Sequence, residues 1–194
     1  MMKHQEVGFG FYSNPHFIVY SLDPVTTGFS FKDNTIICAA DNGVPFGLLK
    51  FREVRYLTIS GNTVNGGNIA TGPINLLEAE TLRGLSFTGN NLNFGRNNTG
   101  LGTMIKADAS WGAVISNNVL GNQNEAQNGI ILGMNDQWKG TIFSGNYVAG
   151  CSRVASAASQ PVNFVYTNNI VNFDFGAVFD GVTPTEHANN IQIN

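Results

Sequence analysis

One asparagine recurs every 28 residues along most of this chain, at positions Asn34, Asn62, Asn90, Asn118 and Asn146. The residues around each copy follow one pattern, which reads Leu57-x-Ile59-x-x-Asn62-x-Val64 in the second copy. A fixed period of this length is typical of proteins built from stacked units, each of which packs only on its neighbours. We therefore expect a solenoid, in which each repeat forms one coil.

Within each repeat, apolar and polar residues alternate with the two-residue period of a β-strand. One apolar column stands three residues before the asparagine and comprises Phe31, Ile59, Phe87, Ile115 and Phe143. Another stands two residues after it and comprises Ile36, Val64, Leu92, Leu120 and Val148. A further strand carries Leu48, Leu76, Met104 and Leu132 in the same register. Each coil should thus hold two or three short strands, and identical coils stack as parallel ladders.

The repeated asparagine separates two inward-facing columns, so it should lie at a bend with its side chain buried. A buried amide needs hydrogen-bond partners, and stacked asparagines can supply them to one another. The residues that precede the asparagines tolerate a left-handed backbone, which suits such a bend; they are Asp33, Gly61, Gly89, Asn117 and Gly145. The sequence therefore predicts an asparagine ladder along one corner.

The repeat, as it reads in ISGNTV, FTGNNL, ISNNVL and FSGNYV, resembles the right-handed single-stranded parallel β-helix of pectate lyases, polygalacturonases and phage tailspikes. The resemblance covers residues 29–171. It implies an all-β solenoid of about 28 residues per turn and six to seven turns. FVYTNNIVNF repeats the pattern only 23 residues after Asn146, whereas FGFYSNPH and HANNIQIN are interpreted as irregular end turns. We expect residues 1–194 to form one domain, as a fragment of or subunit in a larger assembly.

Composition limits the partners of the chain. Only 12% of the residues are charged, the net charge is −3 and no basic run is present, so we expect no nucleic-acid partner. No apolar run has transmembrane length and no signal peptide is recognisable, so no membrane partner is expected.

Cys38 and Cys151 lie four turns apart, too far for a disulfide. Uncapped solenoid ends invite pairing, which predicts a homotrimer or capping by neighbouring domains.

Outside the apolar columns, the repeat aligns charged and aromatic residues just before the asparagine-bearing strand. One column holds Arg52, Glu80, Asp108 and Asp136, and a second holds Arg55, Arg83, Trp111 and Lys139. Aromatic rings and charged side chains together suit a sugar-binding groove. Paired carboxylates perform the acid–base chemistry of glycoside hydrolases. A polysaccharide lyase would instead need a base and a cation such as Lys106 or Arg83. Both alternatives make Glu80, Asp108 and Asp136 the candidate catalytic residues. The candidate substrate-binding residues are Arg83, Trp111, Lys139 and Trp138.

Other interpretations of these columns remain open. A strict repeat turns any polar position into a column, so Glu78 beside Lys106 can be an ordinary ion pair. Ca²⁺ is a possible ligand of the acidic column, and no other cofactor or metal is expected. The resemblance implies a tailspike-like protein, on a virion or extracellular, that binds and possibly depolymerises a bacterial surface polysaccharide. The short active-site motifs of polygalacturonases are missing, so the alternative is a non-catalytic structural or adhesive shaft.

Overall fold

The computed structural model describes residues 16–21, 24–37, 46–65, 74–94, 102–122, 129–151, 153–172 and 178–193. The regular structure within these ranges is entirely β, which confirms the predicted all-β solenoid. Its strands are β1 His16–Ser21, β2 Thr26–Thr27, β3 Ser30–Lys32, β4 Thr35–Ile37, β5 Phe46–Ser60, β6 Thr63–Asn65, β7 Ile74–Thr88, β8 Asn91–Phe94, β9 Gly102–Trp111, β10 Val114–Ser116, β11 Val119–Asn122, β12 Gly129–Met134, β13 Trp138–Ser144, β14 Tyr147–Ala149, β15 Arg153–Ala157, β16 Val162–Thr167, β17 Ile170–Asn172, β18 Phe179–Asp180, β19 Glu186–Ala188 and β20 Ile191–Ile193.

Each coil has three faces, which we name after the coil of residues 46–65. The first face contains residues 46–55, the second residues 57–60 and the third residues 63–65. The first two faces belong to one thirteen-stranded sheet, because strands such as β5 and β7 continue around the corner between them. The third faces form a seven-stranded sheet of β4, β6, β8, β11, β14, β17 and β20. Every strand pairs in parallel with the equivalent strand of the next coil, as in β5 with β7.

The asparagine ladder forms the corner between the second and third faces, and the structure confirms it. It continues to the end of the described chain and has seven members, Asn34, Asn62, Asn90, Asn118, Asn146, Asn169 and Asn190. The residue before each ladder asparagine has a positive φ between 55° and 65°. These left-handed residues turn the chain so that the next side chain, the asparagine, points into the core.

Each interior ladder amide has a full set of hydrogen-bond partners, as Asn118 illustrates. Its Oδ1 accepts bonds from the backbone N–H and the side-chain Nδ2 of Asn90, at 2.9 and 3.0 Å. Its Nδ2 donates to Oδ1 of Asn146 at 2.9 Å and to the carbonyl of Phe87 at 3.0 Å. Asn118 is 1% exposed, so these bonds take the place of the hydrogen bonds to water that the amide makes in the unfolded chain.

The coils are not uniform, and the turn count differs from the prediction. Four steps of the ladder span 28 residues, and the last two span 23 and 21. The first shortening is confined to one place, because Gly121 pairs with Ala149 whereas Ile130 pairs with Arg153. The five missing residues thus come out of the connection from the third face to the next first face. The solenoid therefore has four full coils of 28 residues, followed by shorter ones.

Apolar side chains from all three faces fill the interior, and the predicted columns on either side of the asparagine are buried from the second coil onward. Phe87, Phe143 and Leu120 are at most 1% exposed. One predicted column is wrong in its last member, because Leu132 pairs with Ile105 and not with Met104. The expected irregular turn around Asn14 and the position of Cys38 lie outside the described residues. No helix in the described ranges is long and apolar enough to cross a membrane.

Candidate functional site

The corner between the first and second faces is a second line of left-handed residues. Its members are Gly28, Tyr56, Gly84, Gly112, Gly140 and Asn163, and we call it the glycine corner. Tyr56 and Asn163 are the members that are not glycine, and only Tyr56 is bulky. A bulky side chain at φ 57° costs about 1–2 kcal/mol relative to glycine. Its side chain is 71% exposed, so no burial offsets this cost. Its ring lies against the next coil, with Cδ1 3.3 Å from the site of a Cβ on Gly84.

Beside the glycine corner, strand register places Arg55, Arg83, Trp111 and Lys139 in one column on the first face. The guanidinium carbon of Arg83 lies 4.5 Å from the centre of the Trp111 ring. This cation–π contact holds a flat cation on a flat ring at a partly exposed position. Together with Tyr56, these side chains form a surface that we call the arginine–aromatic patch.

Glu53 anchors the two arginines of the patch. Its Oε1 accepts a 2.8 Å hydrogen bond from Nε of Arg55 and lies 3.3 Å from Nε of Arg83. The hydrogen bond from Arg55, reinforced by the charges of both arginines, lowers the pKa of Glu53 below its ordinary value of 4.5, against a smaller opposing effect of desolvation. Glu53 therefore holds the side chains of Arg55 and Arg83 in place on the first face.

The candidate acidic column is exposed. Glu80 and Asp108 occupy equivalent positions on β7 and β9, between the paired residues Ala79–Ala107 and Thr81–Ala109. Oε2 of Glu80 lies 3.5 Å from Nε of Arg52, and both side chains are more than half exposed. Adjacent strands are about 4.8 Å apart, so carboxylates at these two positions can approach the spacing of a retaining pair.

Asp136 does not continue this column along a strand. One extra residue between Leu132 and Trp138 shifts the register from 27 to 28 residues, and the chain there forms a turn at residues 135–137. Asn135 closes the turn by accepting the backbone N–H of Trp138 at 3.1 Å, and its amide donates to the carbonyl of Asp108. The backbone N–H of Asp136 donates a hydrogen bond to Oγ of Ser159.

Trp138, which the sequence grouped with the binding residues, lies in the core. It is 0% exposed and its Nε1 donates a 2.9 Å hydrogen bond to the carbonyl of Ala107. Strand register aligns it with Val54, Leu82 and Ser110, all of which point inward. The small Ser110 leaves room for the indole in the next coil. A sequence signal existed, since two of the three preceding equivalents of Trp138, Val54 and Leu82, are apolar.

Two residues of this surface were not among the predicted site residues. Tyr56 stands where four of the five equivalent positions carry glycine, and this contrast is visible in the sequence. Glu53 has no such signal, because its equivalent Thr81 is not acidic. The predicted neighbour of Lys106 also has a different partner, since Oε1 of Glu78 accepts a 2.7 Å bond from Nζ of Lys50.

The described residues contain no group of three His, Cys, Asp or Glu side chains that could hold a metal ion. Comparisons with protein-family models, curated proteins and solved structures found no match for the chain. The fold assignment therefore rests on the strand pairing and the asparagine ladder. Membership of the pectate lyase-like and tailspike superfamily stays a prediction.

Proposed function

We propose that this chain is a tailspike-like β-solenoid that binds a bacterial surface polysaccharide along its first face, at the arginine–aromatic patch. The observation that carries the proposal is the exposed and conformationally costly Tyr56 beside the Arg83–Trp111 stack. Flat apolar rings with polar handles suit sugar rings, and guanidinium groups donate paired hydrogen bonds to hydroxyls or carboxylates. A polysaccharide ligand implies a location on a virion or outside a cell.

The backbone strain at Tyr56 supports a role in binding rather than in folding. Strained residues cluster at functional sites, where the strain is part of how the site works. The fold itself accepts glycine at this position in four other coils. Gly112 and Gly140 have open space where a Cβ would stand, so the corner beyond the aromatic rings is unobstructed. A linear glycan could therefore extend along the corner across successive coils.

Cleavage of the bound glycan is the second part of the proposal, with Glu80 and Asp108 as the reacting pair and Asp136 as a third carboxylate nearby. All three side chains are exposed, so a glycan bound along the first face can reach them. Arg52 is the first member of the same column and Lys139 lies in the neighbouring one, and both can bind acidic groups of the glycan. A Ca²⁺ ion would serve the same purpose on the carboxylate side.

The test is a glycan-array and depolymerisation screen on the purified full chain, with and without Ca²⁺. Trp111→Ala and Arg83→Ala should each weaken glycan binding at least tenfold, since each removes one half of the stack. Lys32→Ala is the matched control, because Lys32 is an exposed cation on the second face, away from the patch. The Lys32→Ala variant should bind the glycan with the affinity of the parent chain.

Tyr56→Gly separates function from stability. We expect this variant to unfold at a higher temperature, because it removes left-handed strain, and to bind the glycan more weakly.

Asp108→Ala should abolish cleavage and leave binding intact if the acidic column is catalytic. Binding without cleavage in every form would make the chain a recognition module. Absence of binding across the array would reject the proposal and favour the structural shaft.

A further inference from the structure

Two columns of exposed apolar side chains run along the later coils, one on each side of the asparagine corner. The column on the second face comprises Val114, Ile142 and the half-buried Val165. The column on the third face comprises Val119, Tyr147, Ile170 and Ile191. Apart from Val165, their side chains are between 37% and 57% exposed. We call these seven side chains the apolar corner.

The earlier coils show that the fold does not require apolar residues at these positions. In strand register, the column on the second face begins with Ser30, Thr58 and Ser86. The column on the third face begins with Thr35, Thr63 and Asn91. The same backbone thus carries polar residues in its first coils and apolar residues in later ones. Packing within the chain cannot explain the change, because all of these side chains point outward.

Charge is missing from the same surface over its first three coils. Residues 112–122, 140–150 and 163–172, which form the second and third faces of three successive coils, contain no Asp, Glu, Lys, Arg or His. The same faces of the two preceding coils, residues 56–65 and 84–94, are also uncharged. Charge bounds this stretch at both ends, with Lys32 and Asp33 in the first coil and Glu186, which pairs with Val165, in the last described one. Depletion of charge, more than hydrophobicity overall, distinguishes the core of a protein interface from the rest of the surface. Exposed apolar patches on soluble proteins mark interaction sites in the same way.

We propose that the apolar corner is the surface through which copies of this chain associate side by side. Identical uncharged faces can meet without like-charge repulsion, whereas a strongly charged partner would find no complementary group there. The columns run along the solenoid axis, so parallel copies can contact each other over several coils. The corner is convex, and its two sides are both covered when the second face of one copy meets the third face of the next. Such head-to-tail contacts form a closed ring of copies when the rotation between neighbouring copies closes.

The test is sedimentation velocity on the full chain at micromolar concentration. The parent chain should sediment as an oligomer, with a mass that is a multiple of 20.8 kDa. The triple variant Val119→Thr/Tyr147→Asn/Ile170→Thr introduces the residue types that the first coils carry in the same column. It should sediment as a monomer, or dissociate at a concentration at least 100-fold higher than the parent.

The matched control is Val162→Thr, which makes the same kind of change at a 45% exposed valine on the first face. It should leave the oligomer mass unchanged. If the triple variant fails to fold by circular dichroism, Tyr147→Lys alone places like charges at the contact and should dissociate the oligomer. A monomeric parent chain would overturn the proposal. So would a folded triple variant with the parent's mass, which would locate the contact elsewhere.

Discussion

At the scale of single residues, we expect the ladder asparagines to tolerate substitution least. Its two amide hydrogens go to different coils, one to the next asparagine and one to a carbonyl of the previous coil. Its oxygen accepts two bonds from the previous asparagine. No other side chain has an acceptor and two donors in this arrangement except glutamine, which is one methylene longer.

Asn118→Ala should destabilise the chain by about 2–4 kcal/mol, because it leaves the buried donors of Asn90 and the carbonyl of Phe87 without partners. Asn118→Asp keeps an acceptor for Asn90 but loses the donors and buries a charge, so it should cost at least as much. Urea unfolding followed by circular dichroism measures both.

Asn190→Ala serves as the comparison, because Asn190 is the last described ladder member and is only partly buried. We expect a smaller loss of stability there than at Asn118. Equal losses at both positions would contradict the view that burial of the unpaired partners sets the cost.

At the scale of strands, the ion pairs of the first face connect neighbouring coils through single side chains. Glu53 on β5 bonds Arg55 on its own strand and Arg83 on β7, and Arg83 then stacks on Trp111 of β9. One carboxylate thereby influences side chains on three strands. Surface pairs of this type contribute little to stability, so their main effect should be on the arrangement of the patch.

The protonation of Glu53 should control this arrangement. Because Arg55 lowers its pKa, any stabilisation from the pair is present above the ordinary carboxyl pKa and is lost as the pH falls through the lowered value. A carboxyl NMR titration should give a pKa for Glu53 below 4.5 in the parent chain and a higher one in Arg55→Gln. Arg83→Gln should raise it less, since Arg83 lies farther away. An unchanged pKa in Arg55→Gln would refute this assignment.

Strand registry also explains what the sequence could and could not predict. The 28-residue spacing is enough to predict the ladder and its left-handed neighbours, because both recur at that one spacing without interruption from Asn34 to Asn146. The turn at residues 135–137 was missed, since one inserted residue leaves the spacing from Asn118 to Asn146 unchanged when the preceding connection is one residue shorter. That hidden shift moved Asp136 off its strand. Trp138 is harder to predict for another reason, because the polar Ser110 interrupts the apolar pattern of its inward column.

At the scale of the whole molecule, the stacked coils should protect their interior together. Cys151 is 5% exposed, and burial raises the pKa of its thiol from 9.0 to about 12. In a Cys38→Ser variant, iodoacetamide at pH 8 should label Cys151 orders of magnitude more slowly in the native chain than in urea, since the thiolate is the nucleophile. The labelling rate should rise with urea in parallel with unfolding.

The same thiol should make the stability of the chain depend on pH in the alkaline range. Below its ordinary pKa the thiol is neutral in both states, whereas above it the unfolded chain ionises and the folded chain does not. The free energy of unfolding should therefore fall as the pH rises above about 9. Cys151→Ala should reduce this dependence. Rapid native labelling of Cys151 would show that its coil opens independently of the others.

The ladder also has a direction. Each ladder asparagine up to Asn169 donates its backbone N–H and one of its two side-chain hydrogens to the asparagine of the following coil. Each coil therefore depends for this acceptor on a residue that comes later in the chain. During synthesis, each coil leaving the ribosome thus completes the one made before it and exposes an incomplete edge of its own. We expect such a chain to fold as a zipper that closes in the order of translation, with only the newest coil unfinished at any moment.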